Sequence, residues 1–179
     1  PSAILFYGPT GTGKTSIGVP LAQTTGSKFI QKGRIPRNTD VEALYHWLQS
    51  KAEEAEKLYK EKGRHTIIQI NEMGNFRNAT TQQIEQFNSF ISDCAQKHHL
   101  TIFFTTNEPL TINHATLDKM KKIPMGVAKS SDIEAIIKLY LGTKNIENLN
   151  IRELVDEFEK VQPNAAYSNA QIQNIMSNL

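Results

Sequence analysis

Gly8-Pro9-Thr10-Gly11-Thr12-Gly13-Lys14-Thr15 is the segment of this chain best equipped for chemistry, a glycine-spaced loop ending in Lys-Thr. Glycines let a backbone wrap closely around phosphate oxygens, and main-chain amides at the opening of a helix direct their N–H groups at an anion. In such a loop Lys14 neutralises the outer phosphates and the Thr15 hydroxyl joins a Mg2+ shell. The candidate phosphate-binding set is Gly8, Pro9, Thr10, Gly11, Thr12, Gly13, Lys14, Thr15 and Ser16. A second constellation, Ile67-Ile68-Gln69-Ile70-Asn71-Glu72, is an apolar run that ends in an amide and a carboxylate. Phosphate-loop chemistry requires such a second strand, because the metal must be held through its waters and an attacking water polarised.

Loops of this kind work only between a strand and a helix, and the flanking sequence supplies both. Residues 3–7, Ala-Ile-Leu-Phe-Tyr, read as a buried strand and residues 16–23 as a helix. A short strand is expected at 28–31 and an irregular segment at 32–37. A long helix follows, with capping-box spacing between Thr39 and Glu42 and an apolar stripe of Val41, Leu44, Tyr45, Leu48, Ala52, Ala55 and Tyr59. Gly63 ends it, and a strand at 66–71 stops at Glu72. Thr80 and Gln83 open a further helix carrying Ile84, Phe87, Ile91 and Ala95, which returns the chain to a strand at 101–106; a fifth strand is expected at 123–127. Strands alternating with helices of this length imply an α/β fold with a parallel five-stranded sheet and helices on both faces. From residue 129 the pattern is helical, with Ser131 and Glu134 at capping-box spacing. The expected division is an α/β domain over 1–128 and a small helical domain over 129–179.

Composition narrows the functional classes. Twenty basic side chains face eighteen acids, giving a net charge of +2 with the charges interspersed, which argues against nucleic acid as a partner. The sole cysteine, Cys94, excludes an internal disulfide and fits a reducing compartment, so a cytoplasmic location is expected. No apolar stretch is long enough to span a bilayer. The first strand begins within a few residues of Pro1, as expected for a module cut from a longer polypeptide. The five histidines have no metal-ligand spacing.

With the strand that ends Thr-Ile-Phe-Phe-Thr-Thr-Asn-Glu-Pro, over 101–109, these motifs stand in the order found in AAA ATPase modules, the clade of the AAA proteases and unfoldases, and the chain resembles them over nearly its whole length. Residues 133–141 look like the first helix of that family's lid, and Tyr167-Ser168-Asn169-Ala170-Gln171-Ile172 is similar to its Gly-Phe-Ser-Gly-Ala-Asp-Ile segment. The resemblance implies a three-layer P-loop fold followed by a helical lid, with ATP or ADP and Mg2+ as cofactors. Gly8 to Thr15 would bind phosphates, Thr15 and Asn71 would serve the metal, Glu72 would orient the lytic water, and Asn107 would sense the terminal phosphate. Catalysis is thus assigned to Glu72, Lys14 and Asn107. An oligomeric ring, homo- or hetero-oligomeric, and a protein substrate are the implied partners.

The departures bear on function too. Position 71 is Asn where the family usually has Asp, replacing a full charge by a neutral amide. No arginine occurs between Asn78 and Ile151, and the region where the family places its arginines offers only Lys119, Lys121 and Lys122, whose point charges cannot reproduce bidentate guanidinium geometry. The loop over 33–37 has no aromatic residue with which to grip a polypeptide. Two readings result: a slow Mg2+-dependent ATPase driving conformational change or protein remodelling, or a nucleotide-binding regulatory module whose hydrolysis is impaired.

Overall fold

The computed structural model describes residues 2–33, 40–74, 76 and 78–126. The elements run β1 (Ser2–Tyr7), α1 (Gly18–Thr25), β2 (Lys28–Lys32), α2 (Val41–Lys62), β3 (Thr66–Ile70), α3 (Thr81–Gln96), β4 (Leu100–Thr106), a short 3-10 turn at Pro109–Thr111, α4 (His114–Leu117) and β5 (Lys121–Pro124). The five strands form one sheet in the order β2-β3-β4-β1-β5, and every neighbouring pair is parallel. The expected α/β architecture with a five-stranded parallel sheet is therefore present. Contacts group Pro1–Gly8 with Lys14–Met125 in one unit; of a second unit, only Pro9–Gly13 and Gly126 lie among the described residues. The expected boundary at 128/129 and the whole lid, including 133–141 and 167–172, lie outside the described residues.

Period-two alternation divides the strand side chains between two cores. Ala3 and Leu5 of β1, Ile68 and Ile70 of β3, and Leu100, Ile102 and Phe104 of β4 pack with Leu44, Leu48, Ala52 and Ala55 of α2 and with Phe87 and Ile91 of α3. Phe87 is fully buried between Phe76 and Phe104, with ring centroids 5.2 and 6.4 Å away in edge-to-face contact. Burying such a side chain contributes about 2–3 kcal/mol. On the opposite face Phe6, Ile67 and Phe103 meet Ala22 of α1 in a smaller cluster. Among the described residues no helix is long and apolar enough to cross a membrane.

Helix ends mostly follow the local chemistry. Thr80 and Gln83 open α3 as expected, and they do so through a reciprocal capping box. Gly63, with φ 63°, closes α2 as expected. The start of α2 is capped by Asp40, whose side chain accepts the Glu42 N–H at 2.9 Å; Thr39, the expected cap, lies outside the described residues. The fifth strand sits at Lys121–Pro124, two residues earlier than expected. The larger difference is α1, which begins at Gly18 and not at 16. Pro20 explains it. Proline has no N–H to give to a carbonyl four residues earlier, and its ring collides with that carbonyl. A helix opening at 16 would carry Pro20 beyond its first turn, whereas one opening at Gly18 keeps it third, where neither cost arises.

Candidate functional site

Parallel strands end together, so β1, β3 and β4 deliver their carboxyl-terminal residues to one edge. Tyr7 is paired in register with Thr106, and Ile70 with Phe104. Gly8 continues β1 past this edge. Its N–H donates to the Thr106 carbonyl at 3.3 Å, and a Cβ there would stand 2.1 Å from the Met125 carbonyl oxygen, so no other residue fits. The loop Pro9–Gly13, taken by itself, turns through Gly11 at φ 81° and Gly13 at φ 84°, left-handed conformations that glycine adopts without strain. Within it the Thr12 hydroxyl donates to the Pro9 carbonyl at 3.0 Å.

Lys14 is only 6% exposed, and its ammonium donates to the Gly8 carbonyl at 2.8 Å. Burial holds its pKa below the usual lysine value, while the nearby Glu72 carboxylate pulls it back up. Lys14 and Glu72 therefore lie within each other's electrostatic reach. Thr15 and Ser16 are exposed, with Thr15 turning its carbonyl inward. Because α1 opens only at Gly18, residues 10–16 are turns and bends, and the amides of Thr12 to Thr15 do not form the first turn of a helix as the sequence suggests.

Glu72 is exposed just beyond β3 and has φ 52°, the left-handed region that a side chain with a Cβ enters only under constraint. Thr105 of β4 supplies the constraint from both its ends. Its hydroxyl oxygen accepts the Glu72 N–H at 3.0 Å, and its carbonyl accepts the Met73 N–H at 2.7 Å. Strain of this type costs about 1–2 kcal/mol and persists where neighbouring bonds over-determine it. The result is a carboxylate turned out of the strand line at the edge that also carries Lys14. Asn107 is exposed after β4 and makes no hydrogen bond to the described residues, so only its position links it to this edge.

The residue that sequence reasoning missed is Gln69. It is fully buried on β3, and its Nε2 donates both to the Thr15 carbonyl and to Asn71 Oδ1, each at 2.7 Å. Its own Oε1 is buried with no partner and lies where a Cβ on Gly18 would come within 2.1 Å. Gln69 thus joins the end of the glycine loop to the end of β3. The signal was available, since a lone amide inside an otherwise apolar, doubly covered strand must find a partner.

The Mg2+ that the sequence resemblance implies can be tested against these groups. The exposed Thr15 hydroxyl suits a hard cation. The Asn71 amide oxygen is of a suitable type too, but it brings no charge and is engaged by the buried Gln69 amide. Among the described residues no group of three or more His, Cys, Asp or Glu could hold a metal. Of the three lysines singled out in the sequence after Asn107, Lys122 stands 3.7 Å from Asp118, and Lys119 and Lys121 are exposed.

Residues 4–126 match the family described as "ATPase family associated with various cellular activities (AAA)". The chain is 28% identical over 171 residues to the outer mitochondrial transmembrane helix translocase of Danio rerio, covering 89% of this chain and 44% of that protein. It is 24% identical over 172 residues to cell division protein C of Sulfolobus acidocaldarius, covering 86% and 44%. The chain thus spans less than half the length of these curated relatives. In fold it is similar to the FIGL-1 AAA domain crystallised with ADP, at a TM-score of 0.63 and 20% identity, covering 96% of this chain and 57% of that one.

Proposed function

The chain belongs to the AAA family of ATPases, and from that membership we propose that it is an ATP-binding module that hydrolyses its nucleotide slowly to drive conformational change or protein remodelling. The observation that carries this reading is the buried Lys14 ammonium at the end of the glycine loop, in the field of the Glu72 carboxylate. In this reading the Lys14 ammonium exchanges the Gly8 carbonyl for phosphate oxygens, a charge-assisted bond stronger than the neutral one it replaces. Amides of residues 8–16 hold the remaining oxygens. Glu72 accepts a proton from the attacking water, and Asn107 donates to the terminal phosphate. Mg2+, when bound, supplies charge neutralisation at the outer phosphates, with the Thr15 hydroxyl as the chain's own ligand.

Turnover is slow because Asn71 brings no charge to this edge, and no arginine stands among residues 78–151 to serve a neighbouring subunit. Assembly into a homo- or hetero-oligomeric ring belongs to the same reading, with a partner subunit supplying the missing guanidinium. A polypeptide suits the evenly mixed surface charge better than nucleic acid. A cytoplasmic location accords with Cys94, which is buried, unpaired, and has its thiol pKa raised to about 11 by that burial.

Phosphate release under steady-state conditions, alongside calorimetric binding of ATP, tests the proposal. Glu72→Gln is expected to keep binding and lose at least about a hundredfold in rate, the contribution of a positioned base. Asn71→Asp is expected to raise the rate about tenfold, the difference between a neutral and a charge-assisted hydrogen bond. A wild-type chain that binds ATP with no phosphate release would favour the second reading, a regulatory module whose nucleotide fixes a conformation. The tie between Gln69 and Asn71 is the observation on that side.

A further inference from the structure

Gln69 has one side-chain nitrogen with two hydrogens, and two acceptors stand against it at 2.7 Å. The Thr15 carbonyl can only accept, so the Gln69 atom beside it must be nitrogen. The other hydrogen then requires an acceptor at Asn71, which fixes that amide with Oδ1 toward Gln69 and Nδ2 turned away. Reversing Gln69 would set its oxygen against the Thr15 oxygen. The cost of the observed arrangement is visible in Gln69 Oε1, buried without a partner beside Gly18. What Asn71 offers beyond the buried pair is therefore an NH2 group, and no protein acceptor takes it among the described residues.

Water bound to a metal donates hydrogen bonds and needs an acceptor; a phosphate oxygen needs a donor. Resting on the nucleotide-binding reading above, we propose that Asn71, oriented by Gln69, donates directly to a phosphate oxygen of ADP or ATP, so that this site binds its nucleotide nearly as well without Mg2+ as with it. Gln69 is then a positioning residue that lets the site take the nucleotide with or without its metal, and Asn71 is the residue that touches it.

Calorimetry of the full chain with ADP and with ATP, once in excess Mg2+ and once in EDTA, tests this on the wild type, Asn71→Asp and Gln69→Met. The wild-type Kd values in the two media are expected to agree within about threefold. Asn71→Asp is expected to split them by at least about tenfold, with weaker binding in EDTA, because a carboxylate repels phosphates that no cation screens. Gln69→Met frees the amide to turn and is expected to weaken binding in EDTA about threefold or more while leaving binding in Mg2+ unchanged. Should Gln69→Met fail to fold, the wild type and Asn71→Asp decide. Wild-type binding that falls tenfold in EDTA, or an Asn71→Asp chain indifferent to the metal, overturns the inference alone. No heat with either nucleotide in either medium overturns the nucleotide-binding reading and this inference with it.

Discussion

The two ends of the parallel sheet are made from the same strands and handled in opposite ways. At the amino end the main chain is closed by other main chain and covered. Lys28 N–H meets the His65 carbonyl at 2.8 Å and Thr66 N–H the His99 carbonyl at 2.9 Å. Arg64 donates to the Gly26 and Ser27 carbonyls, while His65 bridges the His98 carbonyl and the Thr101 hydroxyl. Lys28 and Lys51 both hold Glu54. At the carboxyl end Glu72 is strained, Gly8 is pressed against Met125, and a lysine is buried. Unpaired polar atoms do not distinguish the ends, since Thr66 Oγ1 and His99 Nε2 are orphaned at the first as Gln69 Oε1 is at the second. The difference lies in backbone strain and in a buried charge, both of which raise the free energy of the fold at the carboxyl end.

Three substitutions sharpen or break that contrast. Lys14→Ala at the carboxyl end has the largest expected effect, a loss of ATP affinity of about a hundredfold, the worth of one or two charge-assisted bonds. Its stability to urea should stay equal or rise, since a buried ammonium is removed; a fall of several kcal/mol in urea unfolding would mean that this end is ordinary structure after all. Gly18→Ala is next. A methyl group there meets Gln69 Oε1 at 2.1 Å and the Phe29 ring at 2.4 Å, so overpacking should cost about 1–3 kcal/mol in the same assay. The smallest effect is expected at the amino end, from Glu54→Gln. Hydrogen bonds from Lys28 and then Lys51 hold the Glu54 pKa at about 2, below its ordinary 4.5. A depressed carboxylate pKa stabilises the fold above the unfolded value and loses that contribution as pH falls from about 4.5 toward about 2. The pair is part-exposed, so removing it should cost under about 1 kcal/mol near neutrality and flatten urea stability across that acid window.

Legibility in the sequence follows the same division. Elements built from periodic burial, such as α2, α3 and the β3 and β4 strands, were readable because one side chain in two, or in three or four, must avoid water. Lys14, Thr15 and Glu72 stand out in the sequence as residue types at fixed spacing, and the roles proposed for them follow from the family. Gln69 stands out as a lone amide in an apolar strand, but its partner is a carbonyl fifty-four residues away that no local pattern identifies. Thr105 was missed for the same reason: its bonds to Glu72 and Met73 cross between strands. The start of α1 departs from the loop motif because Pro20, lacking an N–H, outweighs the habit of the loop.

The left-handed turn at Glu72 sets a conflict that selection for robustness would expose. Glycine at this position would relax the backbone and make the folded chain more durable by about 1 kcal/mol, yet it would remove the carboxylate proposed to draw a proton from water. If Glu72 acts as proposed, a library of this chain screened for heat tolerance alone would drift toward members that bind nucleotide and no longer turn it over.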